Sequence, residues 1–157
     1  MFDEITTERP RQKTRLPITQ TVATQPVVVI VSDDPCLAMS LEVVCDFLEI
    51  GLEHISSSDD LMTVLENHRP MALVTEMDGR DQDGFNVMMT VSRFDPDLPV
   101  MLLTNNDPVL TGAAEAIEEL CGLSSVVKSA RTPKVGDLVD FFFTAGRKKG
   151  SLRLMPI

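Results

Sequence analysis

The sequence predicts an α/β protein, built as a doubly wound sheet of five parallel strands that alternate with five helices. The main observation is periodicity: short apolar runs alternate with segments whose apolar residues recur every three or four positions. Proline or glycine separates many of these segments. Since crossover helices join parallel strands with right-handed connections, one parallel sheet with helices on both faces is expected.

The first two strand–helix units occupy the first half of the chain. Residues 27–31 form a β-branched run, which is typical of a strand buried on both faces. Asp34-Pro35 suits a helix start, and the apolar spacing of residues 37–48 predicts a helix that ends at Gly51. A second strand is predicted around residues 54–55, followed by a helix capped by residues 57–59.

The remaining three units follow the same alternation. The third strand is predicted at residues 71–75, the fourth at 100–103 and the fifth at 126–127. A helix follows each strand, and the last one is expected to stop near Gly146. The third helix carries the apolar residues Phe85, Met88 and Val91, and the fourth carries Leu110, Ala114, Ile117 and Leu120. In the fifth helix, the residues predicted to face inward are Val135, Leu138, Val139 and Phe142.

The predicted domain spans residues 26–146, between a flexible N-terminal tail (1–25) and a basic C-terminal tail (147–157). Residues 26–146 include six basic and 21 acidic side chains, a net charge of −15, which excludes nucleic-acid binding by the core. No apolar run approaches the ~20 residues that span a bilayer, so no membrane segment is expected. Three cysteines without a C-x-x-C pair favour the reducing cytoplasm.

Polar side chains stand at the carboxyl ends of four predicted strands. Ser32-Asp33-Asp34 follows the first strand, Glu76 closes the third, Thr104 ends the fourth and Lys128 ends the fifth. Ligands of doubly wound sheets bind beyond these strand ends. The sequence therefore predicts a polar site at one edge of the sheet.

The order of these residues resembles the response-regulator receiver domains, over residues 26–146. The resemblance rests on the Val31–Pro35 segment, on Pro70 to Glu76 followed by Asp83-Gly84, on the strand that ends at Thr104, and on Lys128. It implies a flavodoxin-like strand order 2-1-3-4-5. In the family, an aspartate at the third strand end accepts a phosphoryl group, acids hold a divalent cation, and Thr and Lys contact the phosphoryl oxygens.

Four positions depart from the family pattern. Glu76 replaces the phosphoacceptor aspartate, and its extra methylene moves the carboxylate by about 1.5 Å. Ser32 replaces one of the paired acids, Ser129 stands where the family usually has proline, and Ser125 where it has a switch aromatic. The resemblance then implies at most weak Mg²⁺ binding through Asp33, Glu76 and Asp78.

Two interpretations of Glu76 are open. Its carboxylate could reach Lys128 in a charge-assisted bond that imitates the phosphorylated state, or it could be a solvated residue in a decayed site. Asp78 is an alternative phosphoacceptor, although its position past the strand end is more typical of a loop acid.

The expected function is therefore that of a stand-alone, atypical receiver that is not an enzyme and signals through protein–protein interaction without phosphorylation. The partner would be a histidine kinase or another signalling protein. Three consecutive phenylalanines, 141–143, cannot all face inward, so Phe141 and Phe143 are candidate contact residues on a face formed by helix 4, strand 5 and helix 5, where a homodimer is also conceivable.

Two alternatives remain. The first is a working two-component receiver that accepts a phosphoryl group from a histidine kinase with a divalent cation. The second is a flavodoxin-like cofactor protein, which is disfavoured because the first strand–helix turn is acidic and has no glycine to expose backbone N–H groups to a phosphate.

Overall fold

The computed structural model describes residues 25–77, 84–105, 107–130 and 132–149, with side chains up to residue 147. Five strands and five helices alternate within them. In chain order they are β1 (Val27–Val31), α1 (Pro35–Leu48), β2 (Gly51–Ile55), α2 (Leu61–His68), β3 (Ala72–Glu76), α3 (Gly84–Phe94), β4 (Val100–Leu103), α4 (Pro108–Cys121), β5 (Val126–Ser129) and α5 (Val135–Lys149).

The described strands form one parallel sheet in the order β2-β1-β3-β4-β5. The predicted fold class and strand order are confirmed. The central strands of the sheet are buried on both faces. Every residue of β3 and β4 is buried, and so is every residue of β1 except the first. This explains why these strands read as continuous apolar runs in the sequence.

Apolar side chains cover both faces of the sheet. One cluster joins the sheet to α1 and α5 through residues such as Leu41 and Phe142, and a second joins it to α2 and α3 through residues such as Leu65 and Val91. A smaller cluster lies under α4 around Met88 and Ala114. The layers place all five strand ends on one open edge.

Three predicted helix boundaries are wrong: the end of α1, the start of α2 and the end of α5. α1 ends at Glu49, which adopts the left-handed conformation with φ 61°, and Gly51 is the first residue of β2 rather than a helix stop. The Ser57 hydroxyl accepts from Asp59 N at 3.3 Å, but α2 begins only at Leu61. α5 continues to Lys149, past the predicted stop at Gly146, because Gly146 lies on a buried part of the helix.

Val135, which was predicted to face inward, is exposed, and so are two other apolar residues at helical spacing, Leu120 and Phe85. Val135 is 64% exposed, Leu120 81% and Phe85 36%. Val135 and Phe85 belong to first helical turns, and Leu120 to the last turn of α4, so these side chains lie beyond the surface that the sheet offers. Within the described residues, no helix is both long enough and apolar enough to span a membrane.

Candidate functional site: the carboxyl edge of the sheet

The sheet's hydrogen-bond ladder extends one residue past β1 and β4, and Glu76 is the last residue of β3. Ser32 N donates to the Ile55 carbonyl, and Thr104 N donates to the Ser129 carbonyl, both at 3.0 Å. Ser32, Glu76 and Thr104 are all buried, with exposures of 0%, 5% and 2%. The backbone therefore holds these three predicted pocket residues at the same edge.

The central contact of the site joins Ser32 to Glu76. The Ser32 hydroxyl donates to Glu76 Oε2 at 3.0 Å and accepts from Asp34 N at the same distance. Both side chains are buried, so each hydrogen bond satisfies a polar group that water does not reach. The expectation that Glu76 is solvated is wrong, since this carboxylate lies inside the site with a donor from β1's end.

Neighbouring polar groups fix Ser32 further. His54 Nε2 lies 2.7 Å from the Ser32 carbonyl oxygen, which places the imidazole of β2 beside the β1–α1 turn. Asp34 is the N-cap of α1 and accepts from Cys36 N at 2.9 Å. Asp33, the remaining acid of the turn, is partly buried. Of the two acids in this turn, Asp34 therefore caps the N-terminus of α1.

Thr104 faces α4 rather than an open pocket. Its hydroxyl accepts from the Thr111 hydroxyl at 3.4 Å, and its carbonyl accepts from Asp107 N at 3.1 Å. The Thr104 hydroxyl therefore lies between the end of β4 and the first turns of α4.

The structure places Lys128 away from Glu76, so the predicted bond between these two residues is wrong. The Lys128 ammonium lies 2.5 Å from Glu118 Oε2, on α4. Glu118 Oε2 is buried and has no well-formed hydrogen bond, so the ammonium charge is what offsets its burial. The strand register gives a physical reason. In the register of the sheet, Lys128 of β5 is aligned with Leu102 of β4, whereas Glu76 of β3 is aligned with Leu103 of β4. Lys128 is therefore one residue further from the carboxyl edge of the sheet than Glu76.

The described side chains do not fit a divalent-cation site. Among residues 25–77, 84–105, 107–130 and 132–147, no group of three or more His, Cys, Asp or Glu side chains lies close enough to hold a metal. At the position where the family resemblance expects an acid, Ser32 presents a hydroxyl that already donates to Glu76. The proposed ligand Asp78 lies outside the described residues.

The three phenylalanines of α5 lie at different depths. Phe142 is fully buried, Phe141 is 7% exposed, and Phe143 is partly exposed. Phe143 is the most accessible of the three rings, so it stays the candidate contact residue. Phe141 is not an exposed contact residue, because its ring packs against Phe142 with the centroids 5.6 Å apart.

A groove of about 590 Å³ runs between the edge strand β5 and α5. It is lined from α5 by Asp137, Asp140, Phe141, Thr144 and Ala145, and from the strand side by Pro99, Met101 and residues 124–129. Val109 (77%) and Leu120 (81%) are exposed on α4, and Val127 (45%) is exposed on β5. The groove is lined by both charged and apolar side chains.

Two contacts of the site, those of Glu118 and His54, were not predicted from the sequence. Glu118 follows the buried Ala114 by four residues, which places its carboxylate on the inward side of α4, and this spacing was the available signal. The His54 contact with the Ser32 carbonyl had no sequence signal, since it depends on how β1 and β2 align.

No protein-family model and no curated protein sequence matches the chain. Solved structures do match. The signal receiver domain of an HD domain-containing protein from Pseudomonas fluorescens Pf-5 is 15% identical, with a TM-score of 0.68, over 81% of this chain and 98% of that one. A response regulator receiver domain protein from Clostridium thermocellum is 17% identical, with a TM-score of 0.65, over 83% and 99%.

A third structure carries a metal. The receiver domain of a sensor histidine kinase from Pseudomonas aeruginosa PAO1, solved with a magnesium ion coordinated in its active-site cleft, is 18% identical with a TM-score of 0.59, over 78% of this chain and 96% of that one. At these identities the likeness establishes the fold. The fold is that of the response-regulator receiver domains.

Proposed function

We propose that the chain is an atypical receiver that signals by binding a partner protein, without accepting a phosphoryl group. The observation that carries the proposal is the buried hydrogen bond between the Ser32 hydroxyl and Glu76 Oε2, 3.0 Å long. In a phosphoryl-accepting site this place would hold a cation between carboxylates. Here a neutral donor stabilises the one carboxylate directly, so no cation is needed to offset its charge.

The position of Lys128 supports the same proposal. A lysine that is to contact phosphoryl oxygens has to be available at the strand ends, but here Glu118 attracts it toward α4. Three of the residue types on which phosphoryl transfer depends are therefore replaced or engaged elsewhere: the nucleophile, one metal acid and the ammonium. The proposal assigns no catalysis to the chain.

The proposed docking face is formed by α4, β5 and α5. It combines the groove beside β5 with the exposed side chains of Val109, Leu120 and Val127. A signalling protein is the proposed partner, since large exposed apolar side chains are typical of interaction sites. The proposed place of action is the cytoplasm, which three free thiols suit.

An amide NMR titration tests the loss of phosphoryl chemistry. The wild-type protein is titrated first with Mg²⁺ and then with beryllofluoride, which mimics an acyl phosphate. We expect no saturable shifts at Asp33, Glu76, Thr104 or Lys128. Saturable shifts in the wild type would overturn the proposal and support a working two-component receiver.

Two variants serve as matched controls. The double variant Ser32→Asp/Glu76→Asp restores the acids of the family pattern, and a response in this variant alone would identify those two positions as the cause of the loss. Adding Glu118→Gln releases Lys128 from its partner. The triple variant should then respond to beryllofluoride at lower concentration than the double variant.

Sedimentation velocity tests whether a second copy occupies the docking face. We expect a monomer, since residues 26–146 carry a net charge of −15 and acidic surfaces repel each other. A dimer that dissociates in the variant Leu120→Lys/Val127→Lys would instead make this face a homodimer interface.

A further inference from the structure

The outer side of β5 presents backbone groups to which no described strand is paired. Among the described strands, β5 is the last in the sheet order, and β4 is its neighbour. The carbonyls of Ser125 and Ser129 accept hydrogen bonds from β4 at 2.9 and 3.0 Å. Since alternate residues of a strand turn their backbone groups to opposite sides, the N–H and C=O groups of Val126 and Lys128 point away from β4. An open strand edge of this kind is a template for pairing with another chain.

The groove beside β5 has space for one more strand. Its volume of about 590 Å³ lies within the ~300–1,000 Å³ that is typical of ligand sites. The groove follows residues 124–129, which span roughly 17 Å at ~3.3 Å per residue. About five residues of extended chain therefore fit alongside β5.

The alternation of side chains along β5 determines which of them an added strand would meet. Val126 packs into the cluster under α4, and the Lys128 ammonium contacts Glu118 on the same helix. Val127 comes between these two residues, so its side chain lies on the other face of the sheet, toward α5. An added strand would place every second side chain on that face, beside Val127 and α5.

The α5 wall of the groove combines negative charge with apolar surface. Asp137 and Asp140 are exposed, lie about one helical turn apart and line the groove. Phe141 and Ala145 continue the wall with apolar surface. The ion pairs formed between described residues include neither aspartate. This wall therefore matches a segment that carries a basic side chain and an apolar side chain on the same face.

We propose that an extended basic segment of the partner protein pairs with β5 as an added strand and fills this groove. The proposal rests on the docking face proposed above and specifies the form of the partner. An arginine or lysine lies opposite Asp137 and Asp140, and an apolar residue two positions away lies opposite Phe141. Main-chain hydrogen bonds to Val126 and Lys128 contribute affinity, and the alternate side chains contribute specificity.

A synthetic peptide tests the proposal by amide NMR on the full-length chain. The probe is acetyl-Val-Ser-Arg-Ser-Val-amide. Its side-chain pattern reads the same in both directions, so it fits a parallel and an antiparallel added strand equally. We expect saturable shifts at Val126, Lys128 and Asp140. Their absence at millimolar peptide would overturn the proposal.

Two N-methylated peptides distinguish strand addition from binding through side chains alone. One carries methyl groups on the backbone nitrogens of both serines, and the other carries them on those of the valines and the arginine. Alternate residues of an added strand turn their N–H groups toward β5, so only one of the two peptides should lose binding. Equal affinities of the two methylated peptides would contradict strand addition.

A pair of charge variants tests the preference for a basic segment. Asp137→Asn/Asp140→Asn should weaken binding of the peptide by about three- to tenfold, since exposed charge pairs are individually weak. The control Asp59→Asn/Asp60→Asn removes the same charge from exposed positions after β2, at the other end of the sheet. It should leave the affinity within about twofold. Similar losses in the two variants would show that the aspartates of α5 do not contact the peptide and would overturn their assigned role.

The remaining outcomes separate this proposal from the proposed function. Shifts of Val126 and Lys128 that follow protein concentration without peptide would overturn the proposal, because the occupant would then be a second copy. A wild type that responds to neither the peptide nor beryllofluoride would lack the added strand and would still be a receiver without phosphoryl transfer. A wild type that responds to both would keep the added strand and overturn the loss of phosphoryl transfer.

Discussion

Helices α1 and α4 have the same length and similar caps, but they differ in how many of their residues are buried. Both are 14 residues long, both begin with proline after an aspartate N-cap, and both caps accept from a backbone N–H at 2.9 Å. Both end at a residue with positive φ, Glu49 (61°) and Gly122 (70°). Yet α1 buries four residues and α4 only Ala114.

The difference follows from where each helix lies on the sheet. α1 packs on the inner strands with α5 beside it, whereas α4 lies toward the edge strand β5. Local sequence therefore sets where a helix begins and ends, while its neighbours set how much of it is buried. The face that α4 leaves uncovered is the one we propose for docking.

The largest expected effect compares two leucines. Leu41 of α1 is fully buried and Leu120 of α4 is 81% exposed. Leu41→Ala should lower the free energy of unfolding by ~2–5 kcal/mol, since it leaves a cavity in the core. Leu120→Ala should change it by less than about 0.5 kcal/mol. Urea unfolding of both variants measures this, and similar losses would show that α4 is as well packed as α1.

A second pair compares the hydroxyls that precede the two helices. Ser32→Ala removes the donor to the buried Glu76 and the acceptor for Asp34 N, which should cost ~1–3 kcal/mol. Thr104→Val removes only a 3.4 Å contact with Thr111 and should cost about 1 kcal/mol or less. Thermal or urea unfolding distinguishes them. An equal cost would mean that the Ser32–Glu76 bond contributes no more than the Thr104 contact.

The two helix C-termini give a third pair. A left-handed conformation costs a non-glycine residue ~1 kcal/mol, so Glu49→Gly should stabilise the protein by about that amount. Gly122→Ala should destabilise it by ~1 kcal/mol, purely through backbone conformation, because an added Cβ meets nothing within 4 Å. We expect the two substitutions to change the free energy of unfolding, measured by urea unfolding, in opposite directions. A destabilised Glu49→Gly would mean that the glutamate side chain stabilises the end of α1.

The smallest effect at neutral pH concerns Cys45 of α1. Burial of the thiol, and secondarily the charge of Asp46, raises the pKa of Cys45 from 9.0 to about 12. The unfolded chain therefore loses this proton at lower pH than the folded one. The stability that the neutral thiol contributes is complete below pH 9 and is lost as the pH rises toward 12.

The matched variant for this effect is Cys45→Ala. All other ionisable groups are common to both proteins, so the difference between their free energies of unfolding across this pH range isolates the thiol. We expect a steeper alkaline decline in the wild type. Parallel curves would contradict the raised pKa.

Much of the fold could be predicted because it depends on residues close together in the chain. The β-branched run of β1, the Asp-Pro helix starts and the apolar spacing of α1 each specify an element by themselves. Exposure at helix ends could not be predicted in this way. Phe85, Leu120 and Val135 fit the helical period, but the sheet does not extend beneath them.

The same distinction applies to the site. The order of polar residues at the strand ends predicted which side chains share the edge, since all parallel strands end there. The hydrogen-bond and ion-pair partners of these side chains could not be predicted from the sequence. The bond from Ser32 to Glu76 spans 44 residues of sequence, and the choice of Glu118 over Glu76 by Lys128 depends on a one-residue difference in strand register.

The sequence alone determined the alternation of strands and helices, the Asp-Pro starts of α1 and α4, and the set of polar residues at the sheet's edge. Periodicity and capping act over a few residues, so no tertiary information was needed. Only the tertiary structure decided which side chains pair and which helix faces are covered. Those outcomes depend on distances of a few ångströms between segments far apart in the chain, and register and packing set those distances.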